Sequence, residues 1–375
     1  QQIYLLFIIL MSITPKKKIL LVTTSLAEGG AERSTGLLSV LLSEMGYKVH
    51  IVTFLDKVEF RYEGVLFNMG KLKEANNTFL GRIKRFLIYK KYIKTHKFDW
   101  IIDNRTRYRT LVEIIFSKLF YTKKSNLIYM VRSFNISWYF PKNKIVAKNI
   151  YKSAKYIIGV SKEIKNEIEK TYQYNNVRSI YNPIDFENIN ELALKYKISE
   201  KYILAYGRID DEVKNYSLLI DAYSFSELPK NNIFLYILGD GKDLKKLKDK
   251  VVKLKLSDKV KFCDKQVNPF PYVKQAICTV LTSKFEGFPR VVIESLALNT
   301  PVISVNCKSG PEEIIINKKN GLLVDNNNIE LLSEAMNKMV LDHDLYSLCK
   351  KYAKDSIEYL SLENISKEWN KLLES

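Results

Sequence analysis

The stretch SKFEGFPRVVIESLALNTPVISV (283–305) contains a turn, an apolar helix and a buried strand in direct succession. Its Gly-Phe-Pro turn (287–289) opens the helix, because proline suits a first helical turn, where its missing N–H is no loss. Glu286 and Glu294 bracket the front of this otherwise apolar helix. A carboxylate among apolar neighbours is costly unless something pairs with it. The two glutamates therefore indicate a functional role.

Short apolar runs alternate with longer amphipathic stretches along most of the chain, which is typical of a parallel sheet covered by helices on both faces. The strands predicted in the first half are residues 18–25, 47–54, 98–103, 125–131 and 154–161. The strands predicted in the second half are residues 202–208, 232–241, 259–264, 276–283 and 300–305.

The pattern predicts an α/β protein with two doubly wound, Rossmann-like domains, residues 1–180 and 181–360. A linker, SIYNPIDFEN (179–188), marks the boundary with an Asn-Pro pair and acids. Residues 361–375 predict an amphipathic helix with a Ser-x-x-Asn cap, which we expect to cross back to the N-terminal domain. Ligands in such folds bind at the carboxyl ends of the strands, so the expected site is a cleft between two facing domains.

The composition excludes several classes of protein. At 375 residues and 46% hydrophobic content, the chain is long and apolar enough for about two folded domains. Its four cysteines lack C-x-x-C spacing and lie mostly in apolar runs, so we interpret them as reduced core residues of a cytoplasmic protein. With only three histidines, none near a partner ligand in sequence, a zinc centre is not expected.

The net charge of +19 is concentrated in the first half of the chain. Residues 1–185 contain 32 Lys and Arg against 14 Asp and Glu, whereas residues 186–375 contain 28 against 27. Such asymmetry suggests an anionic partner for the first half, either a membrane surface or nucleic acid.

The stretch GRIKRFLIYKKYIKTHKF (81–98) carries much of this charge and interleaves it with aromatic residues. Basic and aromatic residues on one amphipathic helix suit an anionic lipid surface, and residues 16–18 could assist. The alternative is a sheet-packing helix with a solvated basic face, which would explain the apolar Ile83, Leu87 and Ile93. The two interpretations are compatible.

The apolar run IYLLFIILMSI (3–13) is too short to span a bilayer and lacks the features of a signal peptide. We expect residues 1–10 to lie upstream of the true start, since Met11 precedes the first predicted strand by a natural distance. The alternative is a short tail that touches the membrane.

Three further turns carry candidate ligand-binding residues. AEGGAERS (27–34) opens a helix, and its glycines could present N–H groups to an anion or form a plain tight turn. GDGKDL (239–244) is a partial G-x-G-x-x match, and it is either a nucleotide-contacting turn or only a loop. YGRIDDEVKNYSLLIDAY (206–223) places Arg208 at a strand end and Lys214 before a helix. Two such cations could stabilise a departing diphosphate or could be ordinary surface residues.

Together these motifs resemble the retaining glycosyltransferases of family 4, which have the GT-B fold. The resemblance extends from about residue 18 to the C-terminus. It rests on EGGAER, GR followed by KN, GDG, the two glutamates with seven residues between them, CKSGPEEII (307–315), NGLLV (320–324) and the terminal Trp and Leu-Leu.

The resemblance implies that Glu286 lies beside the transferred sugar and that Glu294 accepts hydrogen bonds from the ribose of a sugar nucleotide. An ionised carboxylate only accepts hydrogen bonds, which suits a diol. The helix beginning near Pro289 would point its positive end at the diphosphate. Many members have a histidine after the fourth N-terminal strand, where this chain has Arg132, as some members do. The catalytic residues that the resemblance implies are Glu286, Arg208, Lys214 and Arg132. The donor-binding residues that it implies are Gly29, Gly30, Gly207, Asp240, Gly241, Gly287, Phe288, Pro289 and Glu294.

The implied function is transfer of a sugar, with retention and without metal or cofactor, from a nucleotide donor to a lipid-linked or polysaccharide acceptor in cell-surface glycan synthesis. UDP is the expected nucleotide, and the inner face of the cell membrane is the expected location. A retaining glycosidase would need a second carboxylate close to the first, and Glu286 has no evident partner of that kind. One alternative is a sugar-nucleotide epimerase of the same fold. Another is a non-enzymatic nucleic-acid-binding protein, although the chain has no recognised nucleic-acid motif.

Overall fold

The structure is a computed structural model that describes residues 17–121, 125–194 and 197–375. Most of its strands are short apolar runs. They are β1 (Lys18–Thr23), β2 (Lys48–Thr53), β3 (Val65–Asn68), β4 (Trp100–Asp103), β5 (Asn126–Val131), β6 (Ala154–Gly159), β7 (Val177–Ser179), β8 (Tyr202–Tyr206), β9 (Phe234–Leu238), β10 (Val260–Cys263), β11 (Thr279–Leu281), β12 (Val302–Val305) and β13 (Gly321–Val324).

Helices separate most of these strands. They are α1 (Gly30–Glu44), α2 (Met69–Ala75), α3 (Phe79–His96), α4 (Thr110–Leu119), α5 (Lys144–Tyr151), α6 (Lys162–Tyr172), α7 (Phe186–Leu192), α8 (Asp211–Lys214), α9 (Tyr216–Phe225), α10 (Leu244–Lys253), α11 (Phe270–Gln275), α12 (Arg290–Ala297), α13 (Pro311–Ile314), α14 (Ile329–Leu341), α15 (His343–Tyr352) and α16 (Leu362–Leu373). Short 3₁₀ helices occupy Ile136–Trp138 and Asp355–Leu360.

The strands form two sheets. The first has seven strands in the order β3-β2-β1-β4-β5-β6-β7, and the second has six in the order β10-β9-β8-β11-β12-β13. All neighbouring strands of the second sheet run parallel, as do β3, β2, β1, β4 and β5 of the first. Each sheet is entered near its middle and then built outward in both directions, which is the doubly wound arrangement. The predicted fold class is confirmed.

The chain divides into two compact units. The first contains the described residues up to Met130 together with Tyr139–Ile157 and Leu373–Ser375, and the second contains Val131–Trp138 and Ile158–Leu372. In the first unit, β1 and β4 are almost wholly buried. In the second, apolar residues of β8, β9 and β12 form one core with α9 and α14.

The C-terminal residues of the first unit are held by polar contacts. The Lys17 ammonium donates to the Leu373 carbonyl at 3.2 Å and forms an ion pair with Glu374 at 2.6 Å. Tyr47 donates its hydroxyl to the same carboxylate at 2.9 Å, and these two donors hold the pKa of Glu374 below its usual value. The cap predicted for α16 is confirmed, since the Asn364 N–H donates to the Ser361 hydroxyl at 3.3 Å.

All ten predicted strands are present, each shorter than predicted by one to five residues, while the short strands β3, β7 and β13 were missed. Helix α1 begins at Gly30, four residues before the predicted apolar helix. The four cysteines are free thiols, and three are buried, but Cys263 is half-buried rather than in the core. Residues 3–13 and Lys16 lie outside the described residues. Within the described residues, no helix is both long and apolar enough to cross a bilayer.

Candidate active site

Glu286 lies in the loop that connects the end of β11 to the start of α12. Its Oε1 atom accepts hydrogen bonds from Lys214 Nζ and from the Ser283 hydroxyl, both at 2.6 Å. The Lys214 and Glu286 side chains keep 21% and 13% of their surface exposed. The structure therefore brings the predicted sugar-binding acid and a predicted diphosphate-binding cation into one ion pair that solvent can still reach.

The position of Lys214 follows from how α8 is attached to the end of β11. The Thr282 hydroxyl donates to the Lys214 carbonyl at 2.9 Å, and the Lys284 N–H donates to the Val213 carbonyl at 2.9 Å. Asn215 then reverses the chain with a left-handed φ of 52°, a conformation that asparagine tolerates better than most residues. The KN pair of the sequence thus ends one helix and opens the next beside Glu286.

The backbone of Glu286 is fixed from two sides. Its N–H donates to the Lys308 carbonyl at 2.9 Å, and its carbonyl accepts from the Phe134 N–H at 2.8 Å. A Cβ on Gly287 would lie 2.1 Å from the Arg132 carbonyl oxygen, so only glycine fits at this contact. The loop that carries Glu286 is therefore packed against residues 132–134.

Arg132 belongs to this same cluster. Its Nη1 donates to the Asn182 Oδ1 at 2.7 Å, and Asn182 is buried. The structure groups Val131–Trp138 with the second unit, whereas the sequence interpretation counted Arg132 with the N-terminal domain. Asn182 comes from the stretch that the sequence analysis treated only as a linker, so its role was missed.

Glu294 lies inside α12 and is only 3% exposed. Its Oε1 accepts from Arg290 Nε at 3.0 Å and its Oε2 accepts from the Tyr206 hydroxyl at 3.1 Å. Arg290 is buried as well, so its guanidinium compensates the charge of the buried Glu294 carboxylate. This pairing solves the energetic problem posed by a carboxylate in an apolar helix. Neither Arg290 nor Tyr206 was singled out from the sequence, although the i,i+4 spacing of Arg290 and Glu294 was a signal for their contact.

The second predicted cation, Arg208, is more exposed. Its side chain keeps 62% of its surface, and its Nη2 lies 3.8 Å from Asp210 Oδ2. It follows Gly207, whose φ of +137° is a conformation that L side chains rarely adopt. Arg208 is thus placed at the carboxyl end of the central strand β8 by a turn that favours glycine.

Close backbone packing explains the two glycines of the GDG motif. A Cβ on Gly239 would lie 2.0 Å from the Gly207 carbonyl oxygen, and one on Gly241 would lie 2.1 Å from the Ile209 carbonyl oxygen. The Ile209 N–H donates to the Asp240 carbonyl at 2.8 Å, which joins the loops after β8 and β9. Asp240 is exposed, and its side chain accepts a hydrogen bond from the Gly241 N–H at 2.7 Å.

The turn before α12 differs slightly from the prediction. Pro289 precedes the helix as its N-cap residue, with φ −68° and ψ 107°, and α12 begins at Arg290. Phe288 is buried, and its ring stacks on Tyr181 with centroids 4.6 Å apart. The proline therefore fixes the entry into the helix and is not part of its first turn.

The glycines of the AEGGAERS turn lie in the first unit. Gly29 is the N-cap of α1, and Gly30 is the first residue of that helix. A Cβ on Gly29 would lie 2.2 Å from Glu32 Oε2. The Glu32 carboxylate therefore lies near the N–H groups at the start of α1, which were predicted as a possible binding site for an anion. An acid is favoured at this end of a helix.

The chain's histidines, cysteines and acids form no cluster of three or more that could hold a metal ion within the described residues. Glu286 forms an ion pair with Lys214, and Glu294 forms one with Arg290.

Comparison with known proteins gives matches along most of the chain. Residues 189–356 match the family described as glycosyl transferases group 1, and residues 28–188 match Glycosyltransferase Family 4. The chain is 30% identical over 363 residues to the N-acetylgalactosamine-N,N'-diacetylbacillosaminyl-diphospho-undecaprenol 4-alpha-N-acetylgalactosaminyltransferase of Campylobacter jejuni, covering 93% of this chain and 97% of that protein. It is 26% identical over 348 residues to the amylovoran biosynthesis glycosyltransferase AmsD of Erwinia amylovora, covering 92% and 96%.

Solved structures agree on the fold. A mutant of S. aureus TarM, in complex with fondaparinux, alpha-GlcNAc-glycerol and UDP, superimposes with a TM-score of 0.78 at 16% identity, covering 96% of this chain and 100% of that one. HepE of Anabaena in complex with UDP gives a TM-score of 0.73 at 19% identity, covering 95% and 99%. The chain belongs to the GT-B glycosyltransferases of the bacterial surface-glycan type, and the predicted family is confirmed.

Proposed function

We propose that the protein transfers a sugar from a UDP-linked donor to a lipid-linked glycan, with retention at the anomeric carbon and without a metal ion. The observation that carries the proposal is the 2.6 Å ion pair between Glu286 and Lys214, with Ser283 on the same carboxylate oxygen. The acid that we propose for the sugar and the cation that we propose for the diphosphate are therefore direct neighbours.

The proposed reaction breaks the bond between the anomeric carbon and the diphosphate oxygen. The acceptor hydroxyl attacks from the face that the leaving group vacates, its oxygen bonds to the anomeric carbon, and its proton passes to the departing phosphate oxygen. Lys214 and Arg208 stabilise the negative charge that develops on the diphosphate, and fixed donors of this kind are usually the largest contribution to such catalysis. Glu286 orients the sugar, and Glu294 accepts hydrogen bonds from the ribose hydroxyls.

The donor is assigned from relatives of the same fold. TarM and HepE have both been crystallised with UDP. The acceptor is assigned from the Campylobacter enzyme, whose substrate carries a diphospho-undecaprenol group. A lipid-linked acceptor is found only at a membrane, and the excess positive charge of residues 1–185 supports a location at the inner face of the cell membrane.

Helix α3 is the surface that we propose to contact the membrane. The sequence left open whether Ile83, Leu87 and Ile93 pack on the sheet. In the structure one of the three is buried and two are exposed. Ile93 is 8% exposed, whereas Ile83 and Leu87 are 44% and 58% exposed. Packing against the sheet therefore does not explain the apolar character of Ile83 and Leu87.

Further apolar residues are exposed on α3 and on the neighbouring helix α4. Leu80 is 75% exposed on α3, and Leu111 is 77% exposed on α4. Aromatic rings link the two helices: Tyr89 of α3 and Phe116 of α4 have centroids 5.9 Å apart, and Phe86 of α3 lies 4.4 Å from Phe120, which directly follows α4. Apolar residues surrounded by lysines are typical of helices that lie in the membrane interface.

The proposed chemistry gives the two glutamates different roles, and this difference can be tested. We expect Glu294→Ala to weaken the binding of free UDP, because its carboxylate contacts the nucleotide. We expect Glu286→Ala to lower turnover with little effect on UDP, because its carboxylate contacts the sugar. Calorimetry with UDP and a turnover assay on each variant separate these outcomes, and equal loss of UDP affinity in both would contradict the assignment.

Product analysis distinguishes the proposed reaction from its alternative. A panel of UDP-sugars is incubated with lipid extract and excess EDTA, and the products are identified by mass spectrometry and by the anomeric configuration of the new bond. A glycolipid of retained configuration is expected. Release of an isomerised sugar without transfer would instead favour an epimerase, and strict dependence on manganese would contradict metal-independent transfer.

A further inference from the structure

The motif CKSGPEEII has no part in the chemistry proposed above, yet it lies directly behind the loop that carries Glu286. We call residues 307–313 the support segment and residues 286–289 the donor loop. The Lys308 carbonyl accepts from the Glu286 N–H at 2.9 Å. The Ser309 hydroxyl, which is fully buried, donates to the Gly287 carbonyl at 2.6 Å.

The support segment has an unusual backbone at this contact. Ser309 and Gly310 have φ values of 68° and 102°, both in the region that L side chains rarely adopt. A Cβ on Gly310 would lie 2.3 Å from the Cδ atom of Pro289. Such conformations persist only where the surroundings fix them, and they cluster at functional sites. The segment therefore packs against the donor loop as closely as its sequence allows.

Glu313 anchors the other end of the support segment. Its two carboxylate oxygens accept from the N–H groups of Lys162 and Glu163, each at 3.0 Å, at the start of α6. A carboxylate is favoured at a helix N-terminus, where the first N–H groups have no partner within the helix. Glu163 in turn accepts from the Ser309 N–H at 2.7 Å. Segment and helix are thus tied by reciprocal bonds.

Tyr181 connects Glu313 to the donor loop by a second path. Its hydroxyl donates to Glu313 Oε2 at 2.8 Å, and its ring stacks on Phe288 at 4.6 Å with an interplanar angle of 20°. Burial and the Glu313 carboxylate raise the pKa of the Tyr181 hydroxyl well above its usual value, so it stays protonated and able to donate.

We infer that Ser309 and Glu313 are positioning residues that hold the donor loop in the conformation required for sugar transfer. Ser309 fixes the orientation of the Gly287 carbonyl, and therefore that of the next N–H. Glu313 holds Tyr181 against Phe288 and anchors the segment on α6. The inference rests on the proposed function, since it assumes that residues 286–289 bind the donor sugar.

The first experiment measures hydrogen exchange in the donor loop and requires no substrate. Ser309→Ala and Glu313→Gln are compared with Glu312→Gln, a matched change at the exposed neighbouring acid. We expect amides of residues 285–290 to exchange about tenfold faster in the two test variants, as expected when local opening becomes easier. Exchange in all three variants at the wild-type rate would overturn the inference.

The second experiment separates positioning from a general structural role. Turnover is measured with the UDP-sugar that the wild type uses best, and affinity for free UDP is measured by calorimetry. We expect a fall in kcat of about tenfold or more in Ser309→Ala and Glu313→Gln, because small displacements of a binding group cost that much. UDP affinity should change by less than about twofold, which corresponds to under about 0.4 kcal/mol. Tyr181→Phe keeps the stacking and should retain more activity than Tyr181→Leu.

The possible failures are distinguishable. Loss of kcat, UDP affinity and melting temperature together in the test variants would mean that the segment only stabilises the fold, which overturns the inference while leaving the proposed function intact. A wild-type protein that transfers no sugar from any UDP-linked donor would overturn the proposed function. In that case the exchange experiment still decides whether Ser309 and Glu313 fix residues 286–289.

Discussion

Helices α3 and α10 are both rich in lysine, but they differ in where their apolar residues lie. In α10 the apolar Leu247 and Val251 are buried at 0% and 3% exposure, so the helix packs on the second sheet and presents lysines to solvent. In α3 the packing is done by Tyr89 and Ile93, while Leu87 stays exposed among the lysines.

The two helices also differ in the partners of their lysines. In α10, Lys246 pairs with Asp211 at 2.8 Å and Lys250 pairs with Asp221 at 2.7 Å. In the part of the chain that the structure describes, the lysines of α3 take part in no ion pair. Charge that is already neutralised within the protein has less to gain from an external anion. The comparison teaches that lysine content alone does not single out a helix for membrane contact, and that α3 differs from α10 in having exposed leucines beside lysines without an ion pair.

The largest expected effect is on membrane binding. We expect Lys84→Glu, Lys90→Glu and Lys91→Glu, combined on α3, to release the protein from vesicles that contain anionic lipid. Each basic residue near such a surface contributes about 1 kcal/mol, so reversing three charges costs roughly 6 kcal/mol at low salt. The measurement is vesicle co-sedimentation over a range of salt concentrations.

The matched control for this variant lies on α10. Lys245→Glu, Lys248→Glu and Lys253→Glu make the same change of net charge at exposed positions of the other helix. We expect this variant to sediment with vesicles nearly as the wild type does. If both triple variants lose binding equally, the whole surface and not α3 attracts the membrane, and the contrast between the helices fails.

The second effect concerns stability and compares one leucine from each helix. Leu247→Ala removes a fully buried side chain of α10, and such changes cost about 2–5 kcal/mol. Leu87→Ala removes an exposed side chain of α3, so the free energy of unfolding should change by less than about 0.5 kcal/mol. Urea unfolding of the two variants measures the difference. A large loss for Leu87→Ala would show that the residue is buried by a contact within the protein.

The third effect tests whether the exposed leucines enter the lipid. We expect Leu80→Ser with Leu87→Ser to weaken the part of vesicle binding that survives high salt, because burial of an apolar side chain is not screened by ions. Full burial of a leucine contributes about 1.5–3 kcal/mol, and partial insertion contributes less. Val252→Ser, at an exposed position of α10, is the control. Vesicle binding that stays unchanged at high salt would confine α3 to electrostatic attachment.

Much of the fold could be predicted because apolar runs of strand length are a local signal. Strands with weak runs were missed: Val177–Ser179 has only three residues, and Val65–Asn68 lies at the edge of its sheet and is partly exposed. The direction in which Ile83 points was not predictable either. Helix α3 has apolar residues on nearly every side, so its periodicity does not single out the face that packs.

The candidate site divides in the same way. Glu286 and Glu294 could be found because their spacing is part of a motif. The contacts of Phe134 with Glu286, and of Glu313 with Glu163, join residues about 150 positions apart. No local sequence pattern predicts such contacts, because they depend on which strand ends the fold brings together. Residues 179–188 were predicted only as a linker, so the contacts of Tyr181 and Asn182 were missed for the same reason.

The smallest expected effect is a pH dependence of the ion pair between Lys246 of α10 and Asp211 of α8. Burial opposes ionisation of Asp211, but hydrogen bonds from Lys246 and Ser217 outweigh it and hold the carboxyl pKa below its usual value. A group whose pKa is lowered by folding contributes stability above its unfolded pKa, and the contribution is lost as pH falls through the folded pKa. We therefore expect Asp211→Asn to lower the free energy of unfolding by about 1 kcal/mol at pH 7, the typical contribution of one hydrogen bond. The difference from wild type should shrink as pH falls below about 4, where the unfolded carboxyl is protonated. Asp249→Asn, at an exposed acid of α10, should show no such trend in urea unfolding. If the two variants follow the same pH profile, Lys246 is not held by Asp211, and the pairing that distinguishes α10 from α3 does not persist in solution.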